Sequence, residues 1–255
     1  MGFKALVFAA GIGSRLKPFT DSHPKALVAV GGMPLLERVL RRLAAAGADG
    51  IVVNIHHFGN QIVGFLASRQ WEVPIAVSDE SALLLDTAGA MAKIVREQPM
   101  VAGLAPNDIV MVHNADIYTD VDLAEMAGKA SRSIADALLL VDPQRQSSRR
   151  LMWDADRRLH GWMNTNTGEK RPETLVPEGL CPAAFGGIHV VRRSLLDKVS
   201  HYVGTPLAPA SITDFYIDSC ATADIRAHIP SRPYAWHDVG TPEKLAAAER
   251  HAAAF

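Results

Sequence analysis

Short, solidly apolar runs alternate with stretches of helical spacing through the first half of the chain and beyond. That alternation limits the fold more than any other feature. Ala5-Leu6-Val7-Phe8, Ile51-Val52-Val53-Asn54-Ile55, Ile75-Ala76-Val77, Ile109-Val110-Met111-Val112 and Ala137-Leu138-Leu139-Leu140-Val141 read as strands buried on both faces. Between them, Leu36, Val39, Leu40 and Leu43 recur at helical spacing, as do Ile62, Phe65 and Leu66, then Met91, Ile94 and Val95, then Leu123, Met126 and Ala130. Pro34 fits the first position of the first helix, Gly47 its exit, Asp86 or Thr87 the cap of the third and Asp122 the cap of the fourth. Regular β-α alternation of this kind predicts an α/β fold with a parallel core covered on both faces.

The pattern changes after Val141. Leu151-Met152-Trp153 and Leu159-His160-Gly161-Trp162, separated by Asp154-Ala155-Asp156-Arg157-Arg158, read as a hairpin. Residues 164–182 are polar and turn-rich and are expected as a loop over the sheet edge. A strand at 187–191 then restores the sheet, with helices near 194–201 and 211–222, a strand at 225–229, a short strand into Trp236 and a helix from Pro242. A length of 255 residues with 48% hydrophobic content suits one large α/β domain over residues 1–255, divided near residue 141. With 26 basic and 27 acidic residues, a net charge of -1 gives no electrostatic case for nucleic acid or a membrane as partner. No apolar run approaches the roughly 20 residues of a membrane span, and the N-terminus has no leader pattern. Cys181 and Cys220 make neither a disulfide scaffold nor a zinc motif, so both are expected buried and reduced, in a cytoplasmic protein.

The first apolar run empties into Ala9-Ala10-Gly11-Ile12-Gly13-Ser14-Arg15-Leu16. Gly11 and Gly13 let the backbone turn tightly and bring N–H groups close to an anion, and Arg15 and Lys25 add fixed charge. A Walker A loop would need four residues between its glycines and then Gly-Lys-Ser/Thr. A dinucleotide fingerprint would need a small residue where Leu16 stands. Neither motif is present. A bare Gly-x-Gly can also be a plain strand-to-helix turn.

The longer string decides the matter. Gly11, Gly13, Arg15, Leu16, Pro18 and Thr20, then Pro24 and Lys25, resemble the signature of sugar-1-phosphate nucleotidyltransferases at every position. The compact chain is similar to the short bacterial type, such as N-acetylmuramate-1-phosphate uridylyltransferases and mannose- or heptose-1-phosphate guanylyltransferases. The resemblance implies a Rossmann-like, mixed but mainly parallel sheet with the late hairpin and loop as a sugar-side insertion. It also implies an enzyme that joins a nucleoside triphosphate, UTP by preference, to a sugar 1-phosphate with release of pyrophosphate. Homo-oligomerisation is compatible with it. A relative acting on a non-sugar phosphate such as phosphocholine remains an alternative, as does a glycosyltransferase or a sugar-nucleotide sensor of related architecture. A glycosyltransferase would usually show Asp-x-Asp after the strand, where this chain has Asp116-Ile117-Tyr118.

Such a reaction makes one anion attack another. The attacking phosphate oxygen is ionised near neutral pH, its second pKa being about 6, so no general base is required. Catalysis becomes positioning plus cations. Arg15 and Lys25 are the catalytic candidates, and Ala9, Ala10, Gly11, Gly13 and Ser14 join them in the nucleotide loop. Asp116, just past the strand 109–113, and Asp238, in Trp236-His237-Asp238-Val239-Gly240-Thr241-Pro242, are hard oxygen ligands suited to Mg²⁺. Relatives carry Gly-Asp at the first of these, where Ala115 stands here, and Trp-x-Asp-x-Gly-Thr at the second. Asp86, Gly89 and Gly187 are candidates for the sugar. Asp86 is equally a helix cap and Gly187 equally a bulge glycine. Asp214, with Ser211 and Thr213, fits a helix start. His56 and His57, adjacent on a strand end, point to opposite faces and make a poor metal pair. The expected map sets residues 8–25 around the nucleotide and residues 150–190, with Asp86 opposite, around the sugar.

Overall fold

A computed structural model describes residues 2–253. Ile75–Asp79, Ala48–Ile55, Phe3–Phe8 and Ile109–Asn114 lie side by side in that order, all parallel. Cys181–Arg192 runs antiparallel to Ile109–Asn114, Ala137–Asp142 runs antiparallel to it in turn, and Ile225–His228 lies parallel beyond. The sheet is therefore mixed and mainly parallel, as the resemblance implies. The antiparallel member follows a stretch without a crossover helix, and a helical crossover is what returns a strand in the parallel sense.

Period-two alternation assigns each strand side chain to a layer. Ala5, Val7, Ile51, Val53 and Met111 pack with the helices Leu35–Ala45, Gly59–Ala67 and Leu123–Arg132. Leu6, Val52, Val110 and Val112 pack on the opposite face with the helices Asp86–Glu97, Arg193–Val203 and Ile212–Ser219. Both faces are covered, so the strands carry no polar stripe. A third, smaller cluster joins Leu16, Val28, Val30 and Leu35 to Tyr118, Val239 and Ala248 of the last helix, Pro242–Ala252.

Several local expectations are corrected. Pro34 precedes the first helix as its N-cap. Neither Asp86 nor Thr87 caps the helix Asp86–Glu97. The carbonyl of Ala210 takes the free N–H groups of Ala88 and Gly89 at 2.8 and 3.3 Å, and Asp86 Oδ1 accepts only from the adjacent Thr87 N–H at 2.6 Å, so the N–H groups a cap would hold are already satisfied by backbone. Asp122 does cap its helix, accepting from the Glu125 N–H at 2.8 Å. The hairpin forms from Arg149–Trp153 and Leu159–Asn164, and Lys170–Arg171 adds a third strand inside what reads as loop in sequence. Cys181 is exposed and Cys220 half-buried, both free, because Cys181 starts its strand at the hairpin, away from the two-sided core.

Candidate active site

The strand Phe3–Phe8 lies between Ala48–Ile55, the next strand of this sheet in the chain, and Ile109–Asn114, to which the chain returns after Ile75–Asp79, so the direction of winding reverses at Phe3–Phe8. Ligand crevices form at that reversal, outside the carboxyl ends of the strands. A cavity of about 380 Å³ opens there, lined by Phe8, Ala9, Ala10 and Gly11 on one side and by Asn114, Ala115 and Asp116 on the other. The Ala115 N–H donates to the Phe8 carbonyl at 3.0 Å and ties the two strand ends together.

The glycine loop is held from both sides. The Ala9 N–H donates to Asn54 Oδ1 at 2.8 Å. Gly13 has φ +69°, and a Cβ there would lie 2.9 Å from both Lys25 Cβ and Thr20 Cγ2. A side chain at position 13 would thus push Lys25 away. Thr20 Oγ1 donates to the Gly13 carbonyl at 2.8 Å and closes the turn. Leu16 is buried in the third cluster, which leaves its neighbours Ser14 and Arg15 exposed.

This loop delivers Lys25 to Asp116, and the two form an ion pair. Trp236–Asp238 pairs antiparallel with Ile117–Thr119 in a register that sets Asp238 opposite Ile117, and the Val239 N–H donates to the Asp116 carbonyl at 2.9 Å. Residues 91 or more positions apart in sequence, Lys25, Asp116 and Asp238, are thereby brought together by backbone register. Asp238 is paired with Lys244 Nζ at 2.6 Å. Arg15 joins the same place: a Cβ on Gly240 would lie 2.9 Å from Asp238 Oδ1 and 3.4 Å from Arg15 Nη2. Asp116 and Asp238 are half-buried, their side chains 30% and 26% exposed, so oxygens remain free for a cation.

Among the described residues no group of three or more His, Cys, Asp or Glu side chains forms a metal cage. Two carboxylates, each holding an ammonium, fit Mg²⁺, which takes one or two carboxylates and completes its shell with waters and phosphate oxygens. His56 is engaged elsewhere, its Nδ1 2.7 Å from the Glu80 carbonyl, and the His57 ring packs at a tilt against Phe58.

Asn54, Glu80, Asn114 and Lys244 were not singled out in the sequence. Asn54 Nδ2 donates to Glu80 Oε1 at 2.9 Å while its Oδ1 holds Ala9, and the Leu85 N–H donates to Glu80 Oε2 at 3.1 Å. This buried relay links the glycine loop to the turn before Asp86 and lines the cavity. Burial pushes the Glu80 carboxyl above its ordinary range, although Asn54 and Leu85 act against that. A polar residue near the carboxyl end of an apolar strand, next to last at Asn54 and last at Asn114, is the signal that would have found two of them.

Asp86 stands between this cavity and a second one of about 630 Å³. It is exposed, with φ +55°, a left-handed conformation that Asp tolerates better than most residues. The second cavity is lined by hairpin residues Arg149, Leu151, Trp162 and Asn164 and by the start of the helix Ile212–Ser219, which Ser211 caps by accepting from the Thr213 N–H. Gly187 has φ +71° and sits in a bulge where Phe185 and His189 face Val141 and Leu139, and a Cβ on it would lie 2.9 Å from Asn114 Nδ2. Gly89 lies apart from both cavities, under the backbone of Ala208, whose carbonyl would be 2.8 Å from a Cβ there.

Residues 4–150 match the nucleotidyl transferase family. The chain is 30% identical to the N-acetylmuramate alpha-1-phosphate uridylyltransferase of Caulobacter vibrioides over 96% of its own length and 95% of that protein's. It is 32% identical to the enzyme of the same name from Neisseria meningitidis serogroup B, over 81% and 82%. Among solved structures, HddC from Yersinia pseudotuberculosis superposes with a TM-score of 0.72 at 19% identity, covering 98% of this chain and 99% of that one. HddC has also been solved with GMP-PN. A Bacillus anthracis protein solved with sucrose superposes at 0.78, with 19% identity over 98% and 95%. A glycine loop set against paired carboxylates at the sheet's reversal point and this full-length similarity agree, and the chain belongs to the sugar-1-phosphate nucleotidyltransferases of the nucleotidyl transferase family.

Proposed function

We propose that the protein transfers the nucleotidyl group of UTP to a sugar 1-phosphate, with N-acetylmuramate 1-phosphate the first acceptor to test, and releases pyrophosphate. The observation that carries this reading is the convergence of Lys25 and Asp116, which line the first cavity, with Asp238 and Arg15 beside them. The near full-length similarity to two uridylyltransferases supports the choice of base and sugar. On this reading residues up to about 141 hold the nucleotide and the remainder holds the sugar, in the cytoplasm where nucleoside triphosphates are supplied.

The backbone of Ala9 to Ser14 lies against the nucleotide, and Arg15 grips its outer phosphates with a planar fork. Lys25 leaves Asp116 for the phosphate under attack and offsets charge there. Asp116 and Asp238 would hold Mg²⁺, which supplies positive charge between the two substrates' phosphates. Asp86 and Gly187 belong to the sugar side, whereas Gly89 is a packing glycine beneath the Ala208 backbone.

A second reading, GTP and mannose 1-phosphate, has one observation in its favour. The chain is 27% identical to the mannose-1-phosphate guanylyltransferase of Mycobacterium tuberculosis over 94% of its length, although it spans 61% of that protein. Pyrophosphate release from a panel of nucleoside triphosphates against a panel of sugar 1-phosphates separates the two. UTP with N-acetylmuramate 1-phosphate is expected to give the highest kcat/KM, and a GTP and mannose 1-phosphate optimum would favour the second reading.

A further inference from the structure

The hairpin and its third strand present one face to the second cavity in two cross-strand rows. Asn164 lies opposite Arg149, and Trp162 lies opposite both Leu151 and Arg171. Positions two apart on a strand share a face, and all five of these residues line the cavity. One row is polar and one is dominated by Leu151 and Trp162. The Asn164 N–H donates to the Glu169 carbonyl at 2.9 Å, which sets Glu169 at the end of the polar row.

The two arginines of this wall differ. Arg171 is committed, to Asp214 at 2.5 Å and Asp218 at 3.1 Å. Among the described residues the Arg149 guanidinium has no ion pair and no hydrogen bond, and its backbone is engaged with Ser147 and in the ladder opposite Asn164. A guanidinium donates five N–H bonds and accepts none, so this exposed, unengaged one on a concave wall is available to an acceptor on a ligand. Sugar hydroxyls suit Asp86 and Glu169, which accept. The substrate's phosphate is claimed by the cations of the first cavity. What remains for Arg149 is a second anion on the sugar, and a carboxylate matches its fork in two-point geometry.

We propose that Arg149 is the specificity-determining residue for an acidic sugar 1-phosphate, binding a carboxylate carried on the pyranose ring while Leu151 and Trp162 cover the ring's apolar face. The proposal rests on the reading of the site as a sugar-1-phosphate nucleotidyltransferase and names its substrate class.

The test compares N-acetylmuramate 1-phosphate with N-acetylglucosamine 1-phosphate, which differs by lacking the lactyl ether and its carboxylate. The quantity read is the ratio of their kcat/KM values with UTP, in the full chain. A charge-assisted hydrogen bond to a carboxylate corresponds to a ratio of about ten to a hundred in favour of the acidic sugar. Arg149→Ala and Arg149→Gln should each lower that ratio by about tenfold or more, and Arg149→Lys should fall between them and the native protein, since an ammonium keeps the charge without the fork. Equal turnover of the two sugars by the native protein, or a ratio untouched by Arg149→Ala, overturns the role of Arg149 and leaves nucleotidyl transfer standing. Absence of pyrophosphate release with every nucleotide and sugar phosphate overturns both.

Discussion

At the scale of single residues, the site depends on carboxylates and cations that balance one another before any substrate arrives. Asp116 holds Lys25 and Asp238 holds Lys244, so removing one charge releases its partner. Asp116→Asn and Asp238→Asn should each lower kcat by at least about a hundredfold if they carry Mg²⁺ against a polyanion. Both side chains are half-buried at element ends, so the melting temperature should stay within a few degrees of the native value. Steady-state kinetics across a Mg²⁺ titration checks this, and native kcat at low Mg²⁺ in either variant would remove that carboxylate from the metal site. Arg15→Lys should raise KM for the nucleotide about tenfold, because a point charge cannot reproduce a planar two-point contact. Gly13→Ala should lower activity through Lys25, given the 2.9 Å approach of its Cβ and the positive φ.

At the scale of elements, the glycine loop works because two separate supports fix it. Leu16 pins one end to the cluster shared with Val239 and Ala248, and Asn54 pins the other. Asn54→Ala leaves the Ala9 N–H and the Glu80 carboxyl short of partners in a buried place, which should cost about 1–3 kcal/mol of stability. The same change should raise KM for the nucleotide, and urea unfolding alongside initial-rate measurements separates the two effects. The elements themselves were largely legible. Solid apolar runs gave the strands, helical spacing gave the helices, and the Arg15-to-Lys25 string pointed to the loop. The carboxylate pair was legible as two candidates, but their meeting depends on the pairing of Ile117–Thr119 with Trp236–Asp238, and such short strands carry no periodic signal. Asn54 and Glu80 stayed hidden because their role is a side-chain relay across neighbouring strands. The short strand Lys170–Arg171 is held by the hairpin and by the ion pairs of Arg171 with Asp214 and Asp218, which lie 43 and 47 residues away in sequence.

At the scale of the whole molecule, three buried histidines tie stability to pH. Burial pushes His113 and His228 down to about 4 and His189 down to about 3, from an ordinary value of 6.5. Below pH 6.5 the unfolded chain binds protons that the folded chain refuses, so stability falls as the pH drops toward 4. The slope is at most about 1.4 kcal/mol per pH unit for each histidine. Glu80 acts in the opposite sense, since its raised carboxyl favours the fold at lower pH. Urea midpoints measured from pH 7 to pH 4.5 should therefore decline. His228→Leu should flatten the decline, because the variant has no imidazole there for the unfolded chain to protonate, and it should lose little stability at pH 7, since His228 Nε2 is buried with no hydrogen-bond partner among the described residues. An unchanged slope in that variant would assign the acid sensitivity to other groups.

The central claim is that the sugar phosphate attacks the α-phosphorus of a nucleotide held by the glycine loop. Following a radiolabel from UTP in the presence of N-acetylmuramate 1-phosphate and Mg²⁺ tests it most directly. A label on the α-phosphorus should appear in a UDP-sugar and a label on the γ-phosphorus in pyrophosphate, in equal amounts and with no orthophosphate formed. A γ-label recovered on the sugar or as orthophosphate, with the α-label left in UDP, would contradict the account.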